Sequence, residues 1–201
     1  MQIEAAAVKE RAVTEDERAR ADNYRLVAAL LARPPRADLL AALRGIDDGD
    51  GPLAPIWRDL RQAADACEVS QVEDEYNRLF IGLGRGELMP YASWYLTGFL
   101  MERPLAELRA ELARLGFARQ EGIFEPEDHA ASLCEVMALI ITDDELNATD
   151  SKVFFDRFLG SWLGRFFEDL DGAESAAFYQ AVARLGSRVM AIEREYFSMR
   201  A

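Results

Sequence analysis

Residues 150–170 constrain the fold of this chain more than any other stretch. Val153, Phe154, Phe155, Phe158, Leu159, Trp162, Leu163, Phe166, Phe167 and Leu170 place apolar side chains on nearly every side of a helix. Such a helix has to be surrounded by protein, so the spacing predicts a helix at the centre of a bundle. The stretch 174–199 supplies a packing partner. There Phe178, Val182, Leu185, Val189, Ile192 and Tyr196 alternate by four and three, the repeat of a helix lying along another helix. No segment sustains period-two alternation, and no Asn-Gly-type hairpin signal separates candidate strands. The expected fold class is all-α, a single-domain helical bundle of about eight to ten helices. Its domain spans 14–201, and 1–13 form a frayed tail or an added stretch of helix.

Caps and breakers set the other boundaries. Thr14 with Glu17 fits a capping box for the first helix, which Pro34 and Pro35 end. A short helix over 38–45 precedes the surface loop 47–52, and a third helix covers 53–67. Ser70 with Glu73 reads as the box opening a fourth helix, whose buried face is Val72, Tyr76, Leu79 and Phe80. Gly82, Gly84 and Gly86 form a flexible reversal. It is no phosphate loop, because no Gly-Lys-Ser/Thr follows and no strand precedes it. Pro90 leads through a turn into a short aromatic helix, and Pro104 opens another that Gly116 closes. Cys67 and Cys134 each fall in an expected helix and in no Cys-x-x-Cys pattern, so both read as small core residues in a reducing compartment.

The segment 125–129, Glu-Pro-Glu-Asp-His, holds the one histidine in the chain. Pro126 suits the first position of a helix, with Glu127 and Asp128 in the first turn, where the dipole favours negative charge. Ala130, Leu133, Cys134, Met137, Ile140 and Ile141 then make a buried face, Asp128, Ser132 and Glu135 a polar edge, and His129 lies towards the apolar side. In one account these residues only start a helix and pack; in the other they bind a partner. Catalysis has little to use. Glu127 and Asp128 point about 100° apart on a helix, and nothing activates Ser132 as a nucleophile. The expectation is a protein that is not an enzyme.

Composition narrows the partners. Half of the 201 residues are hydrophobic, unlike a disordered chain. A net charge of −13 argues against nucleic acid and an anionic membrane, and favours a partner carrying positive charge. No run approaches the roughly eighteen apolar residues of a membrane span, so the chain is not an integral membrane protein. Its N-terminus lacks the basic start and apolar middle of a signal peptide. One histidine and no Cys/His grouping speak against zinc. The loop at Asp47 has Arg58 where a calcium loop needs glutamate.

Three segments together resemble one known family. The first is the segment 125–129 ahead of its apolar helix. The second runs Glu75-Tyr76-Asn77-Arg78-Leu79-Phe80, then Gly82, then Pro90-Tyr91-Ala92-Ser93-Trp94-Tyr95. The third is the stretch from Phe154 to Trp162 with Phe178 and Tyr179. In this order they resemble the TorD/DmsD family of cytoplasmic chaperones for molybdenum enzymes. One departure stands out: Phe158 occupies a position where the family often has histidine. The resemblance implies a TorD-like bundle in the cytoplasm. Its partners would be a twin-arginine signal peptide and an apo-molybdoenzyme of the DMSO reductase superfamily. The wording around Ser93 to Leu100 looks like members that serve formate dehydrogenases.

A receptor for such a leader needs an apolar groove with an acidic rim. Tyr91 and Trp94 are expected to floor it, or else simply to pack in the core. Glu87, Glu125, Glu127 and Asp128 would form the rim, with Pro90, Ser93, Pro126, His129 and Ser132 completing the site. No resident cofactor is expected beyond weak guanine nucleotide binding or a transient contact with molybdopterin cofactor. A guanine-nucleotide-binding or hydrolysing accessory protein and a plain interaction module are the alternatives. Monomer and homodimer both stay open.

Overall fold

A computed structural model of the chain describes residues 12–119, 122 and 124–199. Most of the expected tail 1–13 lies outside the described residues. Among the described residues ten α-helices follow one another: α1 Glu15–Ala32, α2 Ala37–Arg44, α3 Ala54–Asp65, α4 Val69–Tyr76, α5 Ala92–Thr97, α6 Arg103–Arg114, α7 Ala130–Thr142, α8 Ala148–Phe154, α9 Leu163–Asp171 and α10 Phe178–Ser198. Two π-helical turns, Asn77–Ile81 and Phe155–Leu159, extend α4 and α8. No strand is present among the described residues, and the all-α expectation holds. No helix among them is long and apolar enough to cross a membrane.

The capping box at the first helix is real. Glu17 N–H donates to the Thr14 hydroxyl at 3.2 Å, and Thr14 N–H donates to the Glu17 carboxylate at 3.0 Å. The box expected at Ser70 and Glu73 is not. α4 starts from Glu68, whose N–H donates to the Gln71 side chain at 2.8 Å. An equivalent reciprocal pair two residues earlier captures the helix start and leaves Ser70 and Glu73 on its exposed side. Cys67 lies just past α3 rather than within it, half-buried; Cys134 is fully buried in α7, and both are free thiols.

The expected single helix over 150–170 is broken. Gly160 N–H donates to Phe155 C=O at 2.7 Å, a wide i→i+5 turn, and the chain re-enters helix after Trp162. Val153 is 37% exposed, so the α8 half is not enclosed. The element that packs against α1, α3, α4 and α9 is α10. Its large residues face some neighbours, while Ala181, Ala183 and Gly186 let others approach closely. A Cβ on Gly186 would stand 2.2 Å from the Phe167 ring. Phe166 and Phe167 of α9 are buried, as is Tyr179 of α10 itself, and α1 packs along α7 beside it.

The Gly82–Gly86 turn is tight rather than flexible. Gly82 has φ +62°, and a Cβ there would lie 1.9 Å from Arg85 C=O. Glu87 and Leu88 N–H groups donate back to Arg78 and Leu79 C=O.

Candidate functional site

Segment 125–129 precedes its helix instead of opening it. α7 begins at Ala130 with His129 as N-cap, and Pro126, Glu127 and Asp128 form the turn before it. The reason lies across the chain. Tyr91 and His129 form an isolated antiparallel bridge, in which Ala92 N–H donates to Asp128 C=O at 2.9 Å and Ala130 N–H to Pro90 C=O at 2.8 Å. Extended backbone at His129 (φ −65°, ψ 140°) serves both the bridge and the cap. Two segments more than thirty residues apart therefore meet as one joint.

Asp128 is 2% exposed, not the polar-edge carboxylate the helical reading expects. Its Oδ2 accepts from Ser93 N–H at 2.9 Å and from the Ser93 hydroxyl at 2.5 Å, so it caps α5 from another part of the chain. Ser93 is fully buried beneath it. His129 Nδ1 accepts from Ala131 N–H at 3.1 Å, which requires a neutral ring nitrogen. Burial pushes the imidazole pKa down, against the charges of Glu125 and Asp128. The ring meets Tyr91 edge-to-face with centroids 5.2 Å apart. Tyr91 hydroxyl donates to Glu125, and burial together with that carboxylate raises its pKa.

The other carboxylates are also engaged. Glu127 takes Arg109 Nε and Nη2 at 3.0 and 2.8 Å. Burial raises its pKa, but the bonds and charge of Arg109 outweigh that and leave it below the usual carboxylate value. Glu87 is remote from the joint in its bonding: it accepts from Glu174 and Ser175 N–H at 2.6 and 3.1 Å, ahead of α10. Trp94 lies under Arg85, whose guanidinium carbon is 4.5 Å from the ring centroid. Glu75, in the upstream segment, accepts from Ala177, Phe178 and Tyr179 N–H and caps α10. Tyr76 and Phe80 pack on Tyr179, and Tyr95 on Trp162. The three sequence segments are the places where distant parts of the bundle are fastened together.

Three depressions open around the joint. A groove of about 390 Å³ runs between the end of α6 and α7; Leu112, Phe117, Val136 and Leu139 give it apolar walls, with Glu125, Glu127, Ser132 and Glu135 beside them and Arg119, paired with Glu127 at 3.9 Å, as its one cation among the described residues. A second, of about 190 Å³, includes Met101, Phe124 and Pro126. A third, of about 70 Å³, includes Asp128, Leu133, Arg157 and Phe158. Neither Tyr91 nor Trp94 lines any of them, so these two do not floor the groove: Tyr91 is spent on His129 and Trp94 on Arg85. The structure joins Pro90, Tyr91, Ser93, Glu125, Asp128 and His129, sets Ser132 and Glu127 on the α6–α7 groove, and leaves Glu87 and Trp94 outside. Sequence reasoning missed Leu139 and Phe124. Their only signal is that each is a large apolar residue off the buried face, 48% and 89% exposed. Among the described residues no group of three or more histidine, cysteine or acidic side chains could hold a metal ion.

Residues 47–168 match the family model of the nitrate reductase delta subunit. The chain belongs to that family. Other members place the TorD resemblance on firmer ground. "Chaperone protein TorD" of Shewanella loihica is 27% identical over 191 residues, 86% of this chain and 90% of that one. "Chaperone protein YcdY" of Escherichia coli is 28% identical over 169 residues, 80% and 86% of the two chains. The TorD chaperone of Vibrio parahaemolyticus is 31% identical over 137 residues, 63% of this chain, and the match spans 59% of that relative's length. In fold, the chain resembles a crystal structure described as a redox enzyme maturation protein of Archaeoglobus fulgidus. The TM-score is 0.57 at 17% identity, covering 92% of this chain and 99% of the other. The delta-subunit family and its TorD members thus account for the segments read from the sequence. No finding favours the guanine-nucleotide alternative.

Proposed function

We propose that this chain is a cytoplasmic, non-enzymatic chaperone for redox enzyme maturation. In this reading it holds the twin-arginine leader, or the apo form, of a molybdopterin-dependent oxidoreductase, such as a formate dehydrogenase, until cofactor insertion is complete. It carries no resident cofactor and touches molybdopterin only in passing. The observation that carries the reading is the α6–α7 groove: apolar walls with Glu125 and Glu135 exposed beside them, on a chain of net charge −13. An apolar segment preceded by arginines complements both features. The names of the TorD and YcdY relatives agree with it.

Calorimetric titration with a synthetic leader peptide, two arginines followed by a leucine-rich run, tests the proposal. The expected result is saturable binding that weakens when Leu139→Glu places a charge on the groove wall. Binding that ignores this change, or no binding at all, overturns it.

A further inference from the structure

The turn that follows α4 and its π-helical extension holds two large apolar residues outward. Leu83 at its tip is fully exposed, and Ile81 is 59% exposed. The backbone beneath them is tightly fixed. Gly82 and Gly84 have φ of +62° and +93°, and a Cβ on Gly86 would lie 2.5 Å from the Phe80 backbone. Gly82 N–H donates to Asn77 C=O at 2.7 Å. Apolar side chains displayed on such a turn lose little freedom when they dock. Arg85 stands next to them. Its guanidinium stacks on Trp94 and makes no ion pair or hydrogen bond among the described residues. Stacking uses the face of the guanidinium and leaves its N–H edge available. The turn therefore displays aliphatic side chains beside a cation, the same chemistry that suits the α6–α7 groove. That groove, at about 390 Å³, falls in the range of sites that hold a small ligand, about 300–1,000 Å³. Leu139 on its wall is 48% exposed. Glu135 beside it is exposed and has no ion pair or hydrogen bond among the described residues, whereas Glu127 is already held by Arg109.

We propose that the turn 81–85 of one copy docks into the α6–α7 groove of a second copy, with Leu83 between the apolar walls and Arg85 against Glu135. The chain then covers its own groove when no other ligand fills it. The inference rests on the chemistry of the groove and not on the leader peptide. Its two surfaces are complementary to each other rather than each to itself, so the contact is heterologous. One turn in one groove makes a small contact, of the weak and transient class below about 1,200 Å². The charge of −13 on each copy opposes the approach, but at physiological salt that repulsion is screened beyond about 8 Å. The pair of opposite charges inside the contact acts at shorter range.

The test is sedimentation equilibrium of the full chain at physiological salt, over about 10–1,000 μM, the range of weak contacts. The average mass should rise with concentration. Leu83→Ser removes the knob and Leu139→Glu charges the wall, so each variant should stay monomeric. Both positions are exposed, and circular dichroism checks that the variants are folded. Mixed in equal amounts, the two should associate again, because the first keeps its groove and the second keeps its turn. Arg85→Gln should weaken association about two- to fivefold, the size of an exposed ion pair; no loss would overturn the charge pairing that selects this occupant. The synthetic leader peptide should dissociate the full chain, and a peptide that binds without doing so overturns the shared groove. A full chain that stays monomeric throughout overturns the proposal. So does a mixture of the two variants no heavier than its components, which would place association on another surface. Peptide binding by a chain that never associates leaves the chaperone reading standing without this contact. Association through turn and groove in a chain that takes up no peptide leaves this contact standing without that reading.

Discussion

Asp128 to alanine would leave the Ser93 N–H and hydroxyl facing a buried space with no acceptor. Unsatisfied buried donors of this kind cost about 1–3 kcal/mol each, so urea unfolding should show a loss of about 2–4 kcal/mol. Asparagine keeps an oxygen in place and should cost less than about 1 kcal/mol. If alanine is as harmless as asparagine, the cap on α5 is not what Asp128 does. His129 gives a pH signature. Its native pKa is held down by burial, while the unfolded chain titrates near the ordinary value of about 6.5. As pH falls through that range the unfolded state takes up the proton first. The stabilisation is therefore complete above about pH 6.5 and is lost as pH drops towards the lowered native pKa. Asparagine at 129 caps the helix without titrating. The melting temperatures at about pH 7.5 and pH 5.5 should lie closer together in His129→Asn than in the parent; an unchanged gap would show that other groups govern it.

The bundle is assembled at helix ends and at one close crossing. Gly186 on α10 faces Phe167 on α9, where any Cβ would clash with the ring, and Phe167 is fully buried with no room to retreat. Overpacking of this sort costs about 1–3 kcal/mol, so Gly186→Ala should lower the midpoint of urea unfolding despite alanine's better helix propensity. A stabilised variant would mean that α9 and α10 separate easily. The π-helical turn at Phe155–Leu159 matters at the same scale. It widens the backbone where Phe158 C=O accepts the Trp162 indole N–H at 2.7 Å. It also places Phe158 in the small pocket that Asp128 lines.

At the scale of the whole molecule, the net charge of −13 acts beyond the groove. A field of one sign steers an oppositely charged ligand and raises its association rate, and salt screens that field over about 8–10 Å. Stopped-flow mixing with the paired-arginine peptide should show an association rate falling roughly tenfold or more between about 0.05 and 0.5 M salt, with dissociation changing far less. A rate indifferent to salt would confine the electrostatics to local pairs.

The amphipathic periods, the absence of alternation and the breakers at Pro34 and Gly116 determined the helix count and most boundaries, because helix formation and capping are local. The same local logic misplaced the start of α7. Glu127 and Asp128 look like first-turn residues until a segment some 35 residues upstream pairs with the backbone at His129. It also took 150–170 for the centre of the bundle, because apolar residues announce burial but not the break at Gly160 or the small residues that make α10 the common partner. Which carboxylate is buried, which is held by an arginine and which pocket contains Phe158 depend on contacts between residues far apart in the chain. Those contacts follow from packing a particular set of surfaces together, and only the tertiary structure decides them.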